Sequence, residues 1–99
     1  MGKRKVVVRK LAAESIAQIA WFIESKGLVL TAERFSDSVY DHIELLADER
    51  RVFPLCRDSE RNYLGLKCIP FKKKYTIVFL ETEHEIVICE FISSKLIRW

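Results

Sequence analysis

"KYTIVFLETEHEIVICEFI", residues 74–92, decides how the chain folds. Two apolar runs, "KYTIVFL" (74–80) and "EIVICEFI" (85–92), flank the polar stretch "ETEHE". Aromatic and β-branched residues dominate both runs, so they read as strands joined by a turn. Neither run alternates cleanly between apolar and polar, which is the pattern of central strands covered on their faces by other elements. The rest of the sequence has to supply that cover.

Working outward, "YLGLKCI" (63–69), set off by Pro70 and Phe71, reads as a further strand. "KVVVRK" (5–10), β-branched with basic flanks, reads as the first. The expected strands are roughly residues 3–10, 62–69, 73–80 and 85–92 in a small antiparallel sheet. Between the first two strands the period changes from two to about 3.6. Ala12, Ile16, Ile19 and Ile23 fall on one helical stripe, widened by Trp21 and Phe22, and "SKG" (25–27) supplies a glycine stop. Thr31 can cap a second helix whose stripe is Ala32, Phe35, Val39, Ile43 (or His42) and Leu46, with Glu33, Asp37, Asp41 and Glu44 opposite. Two such helices make a hairpin that can lie on the sheet. The expected order is β-α-α-β-β-β in one α+β domain spanning residues 1–99, with a basic, Pro54-containing loop, "ERRVFPLCRDSERN" (49–62), leading into the second strand.

Composition agrees with a packed domain. Apolar residues are 49% and charged residues 31% of the 99, with three Gly and two Pro, and no segment is low in complexity. The longest apolar runs are far shorter than the roughly 20 residues of a membrane-spanning helix. Cys56, Cys68 and Cys89 are odd in number and lack C-x-x-C spacing, and no apolar leader follows the basic start. Packed thiols in a reduced, cytoplasmic protein are the expectation, with no metal and no cofactor.

Charge is segregated more than its net of +3 suggests. Residues 11–49 carry eight acids against Lys26 and Arg34, whereas residues 50–78 carry eight bases against Asp58 and Glu60. Any one block could be a solvated face, but alternating blocks in a small fold make a two-faced molecule. If the helices cover one side of the sheet, Arg57, Arg61, Lys67, Lys72, Lys73, Lys74, Lys95 and Arg98 can lie on or near the other. There they would suit a phosphate-bearing or acidic partner. Lys72–Lys74 equally suit a charged strand end that resists aggregation. Trp99 can stack on a base or a partner, or fold back onto the core.

The helices "AESIAQIAWFIESKG" and "AERFSDSVYDHIELLAD", the loop into "RNYLGL", and "KKYTIVFLETEHEIVICEFISS" together resemble the RelE/ParE superfamily of toxins from bacterial type II toxin–antitoxin pairs. The resemblance covers nearly the whole chain. It rests on spacing, on the Lys74-Tyr75 start of the third strand, on the short acidic turn and on the final "ICEFI". It implies a small cytoplasmic toxin linked to growth inhibition and plasmid stabilisation, neutralised by a cognate antitoxin whose C-terminal segment wraps it. ParE-like members inhibit DNA gyrase without hydrolysis, whereas RelE-like members enter the ribosome and cleave mRNA.

Metal-independent RNA cleavage needs a base for the 2'-hydroxyl, an acid for the leaving oxygen and cations for the developing charge. Cations are plentiful here, with Arg61, Lys74, Lys95 and Arg98 the candidates for a catalytic role. Acid and base groups are scarce. His84 sits in a turn, His42 in a helix, and "ISSKLIRW" ends without His or Tyr. Target binding of the ParE kind is therefore the favoured expectation. An mRNA endonuclease is the alternative, and a non-toxic interaction module on a decayed toxin scaffold is the third.

Overall fold

The computed structural model describes residues 4–48 and 52–97. Strand β1 (Lys5–Val8) leads through Arg9 into helix α1 (Lys10–Ser25), and α2 (Val29–Leu45) follows after a short turn. A brief helix α3 (Ser59–Tyr63) precedes β2 (Lys67–Phe71), β3 (Tyr75–Glu81) and β4 (Glu85–Ser93), and Ser94–Leu96 close in a 3-10 turn. The architecture is α+β: a helical hairpin packed on one face of a four-stranded sheet of order β1-β4-β3-β2.

The sheet is mixed, and this corrects the antiparallel expectation. β2, β3 and β4 form an antiparallel meander, but β1 pairs parallel to β4, with Lys5 opposite Glu85 and Val8 opposite Ile88. A parallel neighbour requires a long crossover, and the two helices provide it.

The stripes read from the sequence are the ones that bury. Ala12 and Ile16 of α1, and Ala32, Val39 and Ile43 of α2, lie under the helices with Leu46. Of these, Ala12, Ile16, Val39, Ile43 and Leu46 pack against Ile69, Phe71, Ile77, Phe79, Ile86, Ile88 and Phe91 of the sheet. Trp21 and Phe22 do not join this core; they are 69% and 56% exposed. The glycine stop holds. Gly27 has φ +83°, a conformation costly to any residue with a Cβ, and its N–H donates to the Glu24 carbonyl at 2.8 Å. Thr31 is not the cap. The chain reverses so tightly after Gly27 that α2 starts at Val29, with Ala32 N–H already bonded to the Leu28 carbonyl at 2.9 Å.

"RNYLGL" is not strand. Asp58 caps α3 by accepting the Arg61 N–H at 3.1 Å, and Gly65 at φ +76° ends the segment, so β2 starts only at Lys67. Pro70, expected to lie outside the strand, sits inside β2. This is an edge strand, where a missing N–H breaks no ladder.

Opposite the hairpin, the sheet carries a smaller cluster of Cys56, Cys68, Val78 and Ile97, with Leu66 and Ile92 at its border. Cys56 and Cys68 form a disulfide with Cα atoms 4.9 Å apart, which overturns the expectation of packed thiols for this pair. Backbone pairing brings them together: Cys56 N–H donates to Leu66 and Cys68 N–H to Pro54, around a bridge between Leu55 and Lys67. Cys89 is a free thiol, half-buried on β4, where desolvation above all pushes its pKa up. It marks the point at which the β3–β4 register shifts, Val78 facing Glu90 but Phe79 facing Ile88.

Candidate functional site

The basic residues expected on one side of the sheet are divided among several places. Lys67 lies on the hairpin side, two residues before Ile69, and its Nζ pairs with Glu81 at 2.8 Å. Arg4 also reaches Glu81, and donates to the Asp48 carbonyl at the end of α2. Arg61 lies on the opposite face, where Nε and Nη2 hold the two carboxylate oxygens of Glu90 at 2.9 and 2.8 Å. Its Nη1 also contacts Asp58 at 3.3 Å. The Glu90 hydrogen bonds raise the Arg61 pKa further above the range in which it could lose a proton. Both cations are thus engaged within the fold. Arg57 is exposed on the connecting segment, and Arg98 and Trp99 lie outside the described residues.

Lys72, Lys73, Lys74 and Lys95 meet at one end of the sheet. The β2–β3 turn reverses with Lys72 at φ +50° and Lys73 at φ +65°. Successive left-handed residues are the geometry for which Asn-Gly is usual, and a residue with a Cβ costs about 1 kcal/mol there. The Lys72 ammonium lies 5.5 Å from the Phe71 ring centroid, over the edge of the core. Lys73, Lys74 and Lys95 line a cleft of about 480 Å³ together with Tyr75, Ser93 and Ser94.

The cleft is built on a hydrogen-bonded seam. Ser94 N–H donates to the Lys74 carbonyl at 2.8 Å, and Ser94 Oγ meets the fully buried Thr76 Oγ1 at 3.0 Å. Lys95 N–H donates to Ser93 Oγ at 3.3 Å, which starts the 3-10 turn and sets Lys95 beside the cleft. Tyr75 is held by stacking on Phe91, ring centroids 5.0 Å apart. Among the described residues no acid lines this cleft, so three ammonium groups, two hydroxyls and a phenol make a concave, positive, hydrogen-bonding surface. The sequence singles out these lysines, on one side of the sheet rather than in a cleft at its end, and does not single out Tyr75, Ser93 and Ser94 as companions. The register of the β3–β4 hairpin, which sets Tyr75 opposite Ser93, is the signal that finds them.

Neither histidine lines this cleft. His84 is exposed in the β3–β4 turn, at the other end of a seven-residue strand, about 20 Å away at 3.3 Å per residue. His42 packs edge-on against Phe71, centroids 5.4 Å apart, on the hairpin side.

A second concavity has the opposite sign. Glu24 of α1 and Glu33 and Asp37 of α2 line a groove of about 440 Å³ between the helices, floored by Ala20, Val29 and Ala32. Trp21, Phe22, Leu28 and Leu30 are exposed along the same hairpin. The helical hairpin thus presents an acidic groove with exposed apolar residues nearby, whereas Lys73, Lys74 and Lys95 make the end of the sheet basic.

Comparison with solved structures places this architecture. A chain in the structure of the chromosomal ParDE TA system from P. aeruginosa superposes with a TM-score of 0.75, covering 92% of this chain and 96% of the other. The fold is RelE/ParE-like. At 11% identity the likeness is one of fold. No family model matches the sequence, and no curated protein matches it. Within the RelE/ParE-like frame, the lysine cleft sits where the β2–β3 turn, the end of β4 and the segment after it converge. No described helix is long and apolar enough to cross a membrane.

Proposed function

We propose that this chain is the cytoplasmic toxin of a type II toxin–antitoxin pair, that it halts growth by binding DNA gyrase, and that a cognate antitoxin neutralises it. The observation that carries the reading is the lysine cleft of Lys73, Lys74 and Lys95, set on a fold shared with a component of a ParDE system. A cleft with three cations and, among the described residues, no acid at its walls suits an acidic partner surface, and long-range attraction of that kind speeds encounter as well as holding the complex. Neither histidine lines the cleft, and Arg61 and Lys67 have carboxylate partners inside the fold. This favours binding over acid–base cleavage of RNA. An acidic, apolar antitoxin segment would mask the cleft; the acidic groove between α1 and α2 calls for a basic stretch of the same partner.

The test is induction of the chain alone in bacteria, then with the adjacent open reading frame. Growth should stop in the first case and resume in the second, with a DNA-damage response during arrest and loss of supercoiling by purified gyrase. The triple variant K73E/K74E/K95E should remain folded and harmless. Codon-phased cuts in transcripts beside normally active gyrase would replace this mechanism with the ribosome-dependent nuclease. In that case Tyr75, the phenol of the cleft, and Lys95 become the first groups to test. Harmless expression at high level would point to the interaction module.

A further inference from the structure

The segment between Cys56 and Cys68 crosses the face of the sheet opposite the helical hairpin. Most of it is exposed: Arg57, Ser59, Glu60, Asn62, Tyr63, Leu64 and Gly65 all face solvent. It buries little apolar surface of its own, and α3 is too short to be stable alone. It stays in place through its ends and one central clasp. The ends are Cys56 and Cys68, 1% and 3% exposed and joined to each other. The clasp is Arg61, which spans from α3 to Glu90 on β4. Asn62 Nδ2 adds a bond to the Cys56 carbonyl at 2.9 Å, so it too depends on the position of Cys56. Beneath the segment lie Val78 and Ile97, which it helps to cover. Segments with few buried contacts and exposed backbone bonds are the ones that open first.

We propose that the Cys56–Cys68 pair is a redox-modification site, taking a dithiol reductant or a small-molecule disulfide as its co-reactant, and that its state sets whether segment 57–66 is fixed to the sheet or opens from it. The inference does not depend on the toxin reading. In the reductive direction a thiolate of the dithiol attacks one cysteine sulfur and the other leaves as a thiolate. The second thiol of the reagent then resolves the mixed disulfide. Both cysteines end as thiols and the reagent as its cyclic disulfide, two electrons and two protons having moved to the protein. Oxidation by a low-molecular-weight disulfide such as oxidised glutathione runs the same exchange in reverse, releasing two equivalents of the reduced thiol. Because both sulfurs are buried, exchange passes through a brief opening of the segment. Once reduced, the Arg61–Glu90 clasp, the Asn62 bond, the edge contact of Leu66 and local backbone bonds hold it.

The experiment uses the full chain, oxidised with glutathione disulfide or reduced with dithiothreitol, and follows hydrogen exchange by mass spectrometry. Thiol titration should find one free thiol, Cys89, in the oxidised form and three in the reduced form. Amides in 57–66 should exchange at least about ten-fold faster after reduction, while those of β3 and β4 keep their protection. The C56S/C68S variant should show the fast pattern without reductant. Glu90→Gln should speed the reduced form further, and Cys89→Ser should change neither state. The proposal is overturned if three thiols persist under the disulfide, if segment 57–66 exchanges equally in both forms, or if reduction accelerates β3 and β4 to the same extent. The last result would mean that the bond stabilises the whole fold and gates nothing.

Discussion

Arg61 and Glu90 meet in a two-pronged pair, Nε and Nη2 of the guanidinium each bonded to one carboxylate oxygen, although 29 positions separate them in the chain. The pair joins α3 to β4 across the sheet face that the hairpin does not cover. Both side chains are about a quarter exposed, at 24% each, so water screens the attraction in part. We expect Arg61→Ala and Glu90→Ala each to lower stability by about 1–2 kcal/mol. A double-mutant cycle by urea unfolding should return a favourable coupling; additive losses would mean that the geometry holds little energy.

Glu81 is a source of acid sensitivity. Burial alone would raise its pKa, but hydrogen bonds and charge from Lys67 and Arg4 outweigh that, and the carboxyl sits below the ordinary glutamate value. A depressed folded-state pKa gives stability that is fully present above the unfolded value, about 4.3, and is lost as pH falls through the folded value. Glu81→Gln should therefore weaken the protein at pH 7 and flatten the acid limb of its stability profile. Thermal melts at pH 3, 4, 5 and 7 would show this, and parallel curves for the two proteins would contradict it.

Lys73 occupies a left-handed backbone position, φ +65°, where glycine would sit without strain. Lys73→Gly should gain about 1 kcal/mol from relief of that strain, while Lys73→Ala, which keeps the Cβ, should gain nothing. If the cleft is the target-binding surface, both changes should weaken growth arrest. A stability gain coupled to a functional loss would explain why lysine stands in so unsuited a turn.

Thr76 is fully buried on β3, and its hydroxyl meets Ser94 at 3.0 Å. Thr76→Val keeps the shape and removes that bond, at an expected cost of about 1 kcal/mol. The more informative readout is hydrogen exchange at Ser94 and Lys95, which should rise more than exchange at Ile77 if the seam positions the cleft.

Loss of the Cys56–Cys68 bond, with 12 residues of sequence separation, should cost the fold as a whole well under the about 3 kcal/mol of the loop-entropy scale, because the segment freed in the folded state offsets most of the entropy that the unfolded chain gains. Urea titrations of oxidised and reduced protein measure this directly. A difference of the full about 3 kcal/mol would indicate that the segment stays fixed in the reduced, folded chain.

The helical hairpin was legible because its stripes are dense, and a period of 3.6 over 16 or 17 residues leaves little ambiguity. Helix α3 was not. The alternating "YLGL" imitates a strand, and the deciding signals are an aspartate cap at one end and a glycine at the other, both common in loops. The parallel placement of β1 has no local signature, since it depends on which edge of the meander the chain meets after the crossover. The disulfide was hidden for a similar reason: three cysteines without a motif fix no pairing until the Pro54–Cys56 and Leu66–Cys68 segments are seen side by side. In the cleft, the lysine run was plain, whereas the contribution of Ser93 and Ser94 depends on a hairpin register that a single residue can shift.

That single residue is Cys89. Ahead of it, the even-numbered Ile86 and Ile88 point into the hairpin core; beyond it, the odd-numbered Phe91 does. Strand β4 is thus read in two phases, with one inserted position between them to change the parity. In a strand of unbroken alternation, Glu90 would enter the oily interior and Phe91 would stand in water. The extra residue turns the acid outward to meet Arg61 and the aromatic inward to support Tyr75. Deleting Cys89 would remove one thiol from the composition, yet its effect would be that of a frameshift in space, exchanging the inside and outside of everything from residue 90 to the cleft.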